Sequence, residues 1–328
     1  MITAYARNDK HVTASKLNVG DAIPLGTVWV DLLHPTEEER LFVLSALQID
    51  LPDEAEMEEI EASSRLYVER QAVFLTTAII TKGDTDAPEM GDLALAVTAN
   101  HLVTTRYCEP RSIDLFAFRL RKNPEYLASS YDVLLEMMDA VTDRLADLLQ
   151  NASGSLDTLS QKVFSSAPQL KRTRKKRGDE LTDVLRGIGQ AGELTHKVRD
   201  CLNGLQRLLG FTGVQLLARF TSEQAERLKT VNRDIQSLME AANTITYETG
   251  FLLDATLGFI NIEQNQIIKI FSIAAVVFLP PTLVGTVYGM NFDHMPELAM
   301  HWGYPTALGL MLVSAILPIW YFRRQGWL

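Results

Sequence analysis

The chain has 328 residues and a formal net charge of −10, with 47 % hydrophobic and 22 % charged residues. The length allows two domains, and the negative charge argues against general nucleic-acid binding, which requires a basic surface. We interpret the one basic run, KRTRKKR at 171–177, as a solvated segment near anionic lipid or an acidic neighbour. Cys108 and Cys201 form no metal-binding or redox motif, which indicates a reducing compartment.

The first residues, MITAYARNDKHV, lack the apolar core of a secretory signal, so we expect the bulk of the chain to stay in the cytoplasm. Residues 1–125 are predicted to form a cytoplasmic α/β domain, because β-branched runs alternate with polar, helix-like stretches. The predicted strands are 27–33, 72–80, 93–98 and 102–105. The acidic stretch after His34 and Pro35, beginning at Thr36, is typical of a helix start.

Long helical patterns replace the strands from Tyr131 onward. We predict a cytoplasmic helical hairpin region at 126–220 and a long stalk helix at 221–269. Apolar residues recur in the stalk at alternating steps of three and four, from Leu228 to Phe259, which is a heptad pattern. No proline interrupts 221–279, so a helix continuing into the next apolar segment extends roughly 100 Å. We expect other copies of the chain to cover this heptad seam. The alternative is packing against the preceding helices, 181–217.

Two uncharged runs near the C-terminus, 270–287 and 303–322, are each long enough to cross a membrane. We therefore predict transmembrane helices at 270–290 and 303–322, a periplasmic loop at 291–302 and a basic cytoplasmic tail at 323–328. Lys269, Arg323 and Arg324 flank the spans, whereas the loop carries only Asp293 and Glu297 as formal charges. By the positive-inside rule, both termini are cytoplasmic in a multi-pass protein that contacts membrane lipid.

The first span contains two adjacent prolines, Pro280 and Pro281. Each proline removes a backbone hydrogen bond, so the carbonyls near Val276 and Val277 need protein or water as partners. Small and hydroxylated residues in the same segment allow close helix contacts or line a wet cavity. We expect this span to pack on others of its kind.

The motif Gly289-Met290-Asn291 follows the first span, and Met-Pro-Glu-Leu lies in the loop at 295–298. Together with GFINIEQN at 258–265 and FLPPTL at 278–283, these residues make the sequence resemble the CorA family of magnesium channels. The resemblance implies a funnel-shaped homo-pentamer in the inner membrane, with an α/β domain, long stalk helices and two C-terminal transmembrane helices. It also implies Mg²⁺ as both the transported and the regulatory ion, without an organic cofactor or a nucleic-acid partner.

The resemblance assigns a selectivity filter to Gly289, Met290 and Asn291. Mg²⁺ gives up its water reluctantly, so neutral oxygens that hydrogen-bond its water shell can attract the ion without trapping it. Asp293 and Glu297 are expected to concentrate cations at the mouth. The register of the family further implies five pore-lining residues. Asn265 and Thr282 are expected to form polar rings. The apolar constrictions are assigned to Ile268, Phe271 and Leu279.

The resemblance places a carboxylate of a regulatory cation site at Asp254 in the stalk. Its partner in the cytoplasmic domain is one of four candidates, Asp84, Asp86, Glu89 and Asp92, and the sequence does not choose among them. Intracellular Mg²⁺ bridging such carboxylates between copies would favour a closed pore. The alternative is that Asp254 is an ordinary solvated residue of the stalk.

Mg²⁺ influx down its electrochemical gradient is the leading hypothesis, and no ATP-binding motif is present in the sequence. An alternative is a transporter of the same fold for Co²⁺, Ni²⁺ or Zn²⁺, since His294 and His301 lie near the mouth. A second alternative is a membrane-anchored coiled-coil scaffold that does not conduct. The absence of a nucleophile, triad or metal-ligand motif argues against an enzyme.

Overall fold

A computed structural model of the chain describes residues 1–8, 11–59, 61–165, 174–290, 296 and 300–327. The chain divides into two compact units, Met1–Leu253 and Asp254–Leu328. The first unit contains a β-sheet with its helices, two long helices and the first part of a third. The second contains the two apolar C-terminal segments.

The sheet of the first unit has seven strands in the order β2-β1-β3-β7-β6-β5-β4. Their bounds are β1 Ile2–Asn8, β2 His11–Leu17, β3 Thr27–Leu33, β4 Leu66–Glu69, β5 Ala72–Thr81, β6 Glu89–Val97 and β7 Leu102–Arg106. Only the central pair, β3 and β7, is parallel. The predictions of β3, β5, β6 and β7 are confirmed, whereas the β1–β2 hairpin and β4 were not predicted.

Short helices connect and cover the strands: α1 Glu37–Leu47, α2 Glu54–Met57, α3 Ala62–Arg65 and α4 Arg111–Lys122. The predicted helix start at Thr36 is confirmed, and its cause is a capping box. The Thr36 hydroxyl accepts a hydrogen bond from the Glu39 amide at 3.3 Å, and the Glu39 carboxylate accepts one from the Thr36 amide at 3.0 Å.

The core of the first unit lies on both faces of the sheet. Trp29 of β3 is fully buried, stacked on Tyr5 of β1 at a centroid distance of 4.1 Å and tilted against Phe116 of α4 at 5.2 Å. Asp31 and Arg106 form a buried ion pair across the parallel strands, with 2.8 Å between Nη2 and Oδ2. Because each charged group is hydrogen-bonded there, the pair is tolerated in the core.

Three long helices follow: α5 Ser130–Ser165, α6 Arg174–Leu216 and α7 Ser222–Tyr288. Helix α7 has 67 residues, about 100 Å at 1.5 Å per residue. The predicted continuous helix from the stalk into the first apolar segment is therefore confirmed.

The heptad seam of α7 is buried within the chain itself over the first unit, where Val231, Ile235 and Ala242 are at most 1 % exposed. Gly192 of α6 faces Thr249 so closely that a Cβ there would lie 3.2 Å from the threonine methyl. Our expectation that other copies cover this seam was wrong for residues up to Leu252. The alternative, packing against the preceding helices, accounts for it.

The second unit contains the end of α7 and helix α8, Gly303–Arg324. A Cβ at Gly285 of α7 would lie 3.0 Å from the terminal carbon of Met311, so glycine allows close approach of α8. At the other end, Trp327 stacks on Phe322, and the Lys269 ammonium lies 5.5 Å from the Trp327 ring centroid. The residues flanking the two apolar segments thus meet at one end of the helix pair.

Candidate functional site

The apolar segments of α7 and α8 are long and apolar enough to cross a membrane, and only 6 % of each segment is buried within the chain. Large apolar side chains such as Phe271, Phe278 and Trp320 are largely exposed. Apolar surface on this scale is unfavourable in water. These segments therefore need lipid or further protein around them, which fits the sequence-based assignment of two membrane spans.

One face of α7 in the second unit carries the five residues predicted to line a pore. At 100° per residue, the set lies within an arc of about 120°. Further residues lie in the same arc, among them Ser272 and Leu283. We define the exposed stripe as eight residues of this arc: Asn265, Ile268, Phe271, Ala275, Leu279, Thr282, Thr286 and Gly289. Every member is exposed in the single chain, with Phe271 at 72 % and Leu279 at 67 %.

The opposite face of α7 packs within the second unit. Ile273 is 8 % exposed, and Val277 and Val284 are half-buried. These residues lie about 140–180° from Ile268 around the helix. Gly285, which faces Met311 of α8, lies about 100° from Ile268, between the exposed stripe and this packed face. The exposed stripe therefore points away from the face that α7 uses for its contacts within the chain.

Helix α7 continues through Pro280 and Pro281 without ending. Nearby hydroxyls bond back to the helix backbone, because Thr282 donates to the Phe278 carbonyl at 2.7 Å and Thr286 to the Thr282 carbonyl at 2.8 Å. Each hydroxyl has thereby used its hydrogen, and its oxygen is left as an acceptor. On the exposed stripe, Thr282 and Thr286 thus offer acceptors rather than donors.

The stripe reaches the predicted filter at the end of α7. The Gly289 amide donates to the Gly285 carbonyl at 3.0 Å, and a Cβ at Gly289 would lie 3.0 Å from that oxygen. Glycine therefore lets the chain leave the helix there without crowding the carbonyl, and Met290 follows as an exposed residue. Three further predicted residues, Asn291 of the filter and Asp293 and Glu297 of the mouth, lie outside the described residues.

Asp84, a candidate ligand of the regulatory site, has two arginine partners. Its carboxylate lies 2.5 Å from Arg111 of α4 and 2.5 Å from Arg144 of α5. The hydrogen bond from Arg144 is the main cause that lowers the pKa of Asp84, and the one from Arg111 adds to it. The sequence contained no signal for this arrangement, because Arg144 is 60 positions away.

The other regulatory candidates differ in their ion pairs. Glu89 pairs with Lys82 at 2.7 Å, and Asp92 pairs with Arg65. Asp86 is exposed and has no ion pair within the described part of the chain. Asp254 is exposed on α7, about 40° around the helix from Ile268. Among the residues that the structure describes, no three acidic, histidine or cysteine side chains are grouped as a metal site.

Comparison with known proteins places this chain in a family. A family model described as CorA-like Mg²⁺ transporter protein matches residues 25–324. The chain is 34 % identical over 328 residues to the magnesium transport protein CorA of Pasteurella multocida and 35 % identical over 329 residues to that of Haemophilus influenzae. Both matches cover 100 % of this chain and 100 % of the relative.

The fold has a counterpart among solved structures. The complete structure of the CorA magnesium transporter from Methanocaldococcus jannaschii superimposes with a TM-score of 0.74 at 19 % sequence identity. That match covers 100 % of this chain and 99 % of the other. At this level of identity the likeness concerns the fold, with its sheet domain, long helices and C-terminal helix pair.

Proposed function

The chain belongs to the CorA-like Mg²⁺ transporter family, and we propose that it conducts Mg²⁺ across a membrane through a pore lined by the exposed stripe of α7. As the family resemblance implies, five copies surround this pore in a funnel-shaped assembly. The observation that carries the proposal is the position of the stripe. It is exposed from Asn265 to Gly289 and opposite the face that packs within the chain.

The polar members of the stripe suit a hydrated cation. Water around Mg²⁺ points its hydrogens outward, so a pore that passes the hydrated ion must present hydrogen-bond acceptors. Thr282 and Thr286 are acceptors, since their own hydrogens are donated to backbone carbonyls. In the proposed filter, the Asn291 side-chain oxygens and Gly289 carbonyls have the same role, while Met290 packs and does not coordinate.

The apolar members of the stripe provide the gate. Ile268, Phe271 and Leu279 are each more than 60 % exposed in the single chain. Rings of such side chains around a common axis exclude water when they are close together, and a dewetted constriction stops a hydrated ion. A small rotation of the α7 helices, or a small increase in the distance between them, would let water back into the constriction.

We propose that Mg²⁺ bound between copies at Asp254 holds the pore closed. Of the four candidate partners, Asp86 is favoured because the carboxylates of Asp84, Glu89 and Asp92 already face basic side chains. A carboxylate without such a partner is free to take a divalent cation. Loss of the bound ion would leave the carboxylates to repel each other and release the stalks.

The proposed orientation is multi-pass in the inner membrane with both termini in the cytoplasm. The contact of Lys269 with Trp327 supports it, because the two ends of the helix pair meet on the side rich in positive charge. On this orientation two positive charges gain about 4–5 kcal/mol per 100 mV on entering the cell. The membrane potential therefore suffices to drive uptake, without ATP hydrolysis or any enzymatic step.

The experiment that tests the proposal is Mg²⁺ uptake into liposomes that carry the purified full-length protein and a trapped Mg²⁺-sensitive dye. We expect uptake driven by an imposed potential, and its loss in Asn291→Ala. The matched control is Asn243→Ala, which removes an exposed asparagine from α7 in the first unit. Equal uptake by the wild-type protein and Asn291→Ala would exclude the filter. Absence of uptake by a folded, inserted wild-type protein would exclude conduction.

A further inference from the structure

A groove of about 740 Å³ lies in the first unit, far along the chain from the exposed stripe. Four separate connections of the chain converge on it. They are the end of α1 at Gln48, the β4–β5 turn at Arg70 and Gln71, the β6–β7 turn at His101, and Arg219 in the short turn between α6 and α7. Such a convergence of loops on a rigid scaffold is a common setting for binding sites.

The charge of this groove is opposite to that of the chain. Arg70, Arg219 and His101 line it, and none of the described residues that line it is an aspartate or glutamate, although the chain as a whole carries −10. The Glu69 carboxylate lies 3.5 Å from Arg70 but does not line the groove, and both side chains are at least half exposed. An anion in the groove would therefore meet two guanidinium groups and no competing carboxylate on the wall.

The imidazole of His101 is held in a defined orientation. Its Nδ1 lies 3.0 Å from the carbonyl oxygen of Thr27, and because a carbonyl only accepts, Nδ1 carries the hydrogen. The second ring nitrogen, Nε2, is left available to a ligand. A ring anchored on one side and available on the other is suited to hydrogen-bonding a phosphate or a ribose hydroxyl.

The backbone around the groove adopts conformations that its residues disfavour. Gln48, Arg70 and Gln71 have φ values of 58°, 45° and 73°, and they are three of the five non-glycine residues with positive φ in the described chain. The two-residue turn between the paired Glu69 and Ala72 is one where Asn-Gly is favoured. Gln48 is likewise the left-handed C-cap of α1, so local structure accounts for these conformations. Here the turn presents an arginine and a glutamine at the groove.

We propose that this groove binds a phosphorylated small molecule of nucleotide size. Guanidinium groups bind phosphate oxygens through paired hydrogen bonds, and Arg70 and Arg219 reach the groove from different connections. The amides of Gln48 and Asn100 add donors and acceptors, and Leu47 adds an apolar contact for a ring. The volume lies within the range of clefts that hold small organic ligands. This site is independent of the proposed pore.

Calorimetric titration of the full-length protein in detergent with ATP, ADP, AMP and inorganic phosphate tests this proposal. We expect binding of the nucleotides that weakens as salt is raised. Arg70→Asn keeps the turn, because asparagine tolerates positive φ, and Arg219→Gln keeps an amide. Each is expected to weaken nucleotide binding about tenfold or more, as loss of a charged hydrogen bond does.

The matched control is Arg186→Gln on α6, which should leave nucleotide affinity unchanged. Its side chain is 68 % exposed and 3.3 Å from Asp183, against 70 % and 3.5 Å from Glu69 for Arg70. Three results would overturn the proposal. They are no binding of any probe at millimolar concentration, an equal loss in all three variants, and wild-type affinity in correctly assembled Arg70→Asn and Arg219→Gln. Because ion flux is not measured, the outcome is separate from that of the pore experiment.

Discussion

The hydroxyl of Thr282 is a hydrogen-bond acceptor on the exposed stripe. Its hydrogen is donated to the Phe278 carbonyl at 2.7 Å, so in the proposed pore the oxygen is left to accept hydrogens from the water around the ion. Thr282→Val keeps the side-chain shape and removes the acceptor from every copy. We expect Mg²⁺ uptake into liposomes to fall about tenfold, as for a net loss of about 1.4 kcal/mol. Thr244→Val is the control, because Thr244 is exposed on α7 and bonds the Glu240 carbonyl in the same way at 3.1 Å. An equal fall in both variants would show a general effect on the helix.

The acidic residues of the β5–β6 turn are distinguished by their partners. Asp84 is neutralised by Arg111 and Arg144, whereas Asp86 is exposed and unpaired within the described chain. We expect Asp86→Asn to raise the Mg²⁺ concentration that protects the protein from proteolysis several-fold. Asp84→Asn should change that concentration little and lower thermal stability instead, because it leaves Arg144 largely buried without its carboxylate. The reverse ranking would transfer the ligand role to Asp84.

At the scale of elements, the attachment of α7 to α5 depends on a buried ion pair. Glu136 is 5 % exposed and pairs with Arg227, which also lies over the Tyr126 ring at 5.8 Å. Burial is the main cause that raises the pKa of Glu136. Arg227→Ala leaves the Glu136 carboxylate buried without its positive partner. We therefore expect the free energy of unfolding to fall by about 3 kcal/mol. Adding Glu136→Gln to this variant removes the unpaired buried charge. The double variant should regain part of the lost stability, which thermal unfolding measures. An Arg227→Ala variant as stable as the wild type would contradict a stabilising role for this ion pair.

Local patterns in the sequence predicted the elements that have a local cause. The capping box at Thr36, the apolar run of β3 and the proline-free stretch of α7 up to Leu279 each have their determinants within a few turns or residues. Strand β2 was not predicted, because it is an edge strand with little buried surface and carries almost no apolar alternation. The heptad pattern of α7 was recognised, but a heptad does not identify the partner that covers it. That partner proved to be the chain itself.

Contacts between distant parts of the chain could not be predicted from the sequence. The pairs of Asp84 with Arg144 and of Asp92 with Arg65 join residues 60 and 27 positions apart. The sequence contains no periodicity that links them, so four acidic candidates looked equivalent. The candidate pore residues were assigned by resemblance to a family. Their exposure is shared by most of the apolar segment, of which only 6 % is buried, so the assignment stays a prediction.

At the scale of the whole molecule, a single chain leaves two apolar segments uncovered. Lipid can cover α8 and part of α7, but polar groups such as Thr282 and Thr286 on the exposed stripe are disfavoured against hydrocarbon. The ring of copies that we propose would resolve this, because it would turn the stripe of every copy toward one water-filled axis. Each copy retains its own stalk seam, which α5 and α6 already bury.

The most direct test of this central claim compares the two faces of α7 with a thiol reagent. In a chain with Cys108→Ala and Cys201→Ala, Thr282→Cys places a thiol on the exposed stripe and Val284→Cys places one on the opposite face. Both are exposed to a charged, membrane-impermeant methanethiosulfonate during Mg²⁺ uptake. We expect the reagent to block uptake by T282C and to leave V284C unaffected. Block of V284C alone, or of neither variant in a conducting protein, would contradict a pore lined by the exposed stripe.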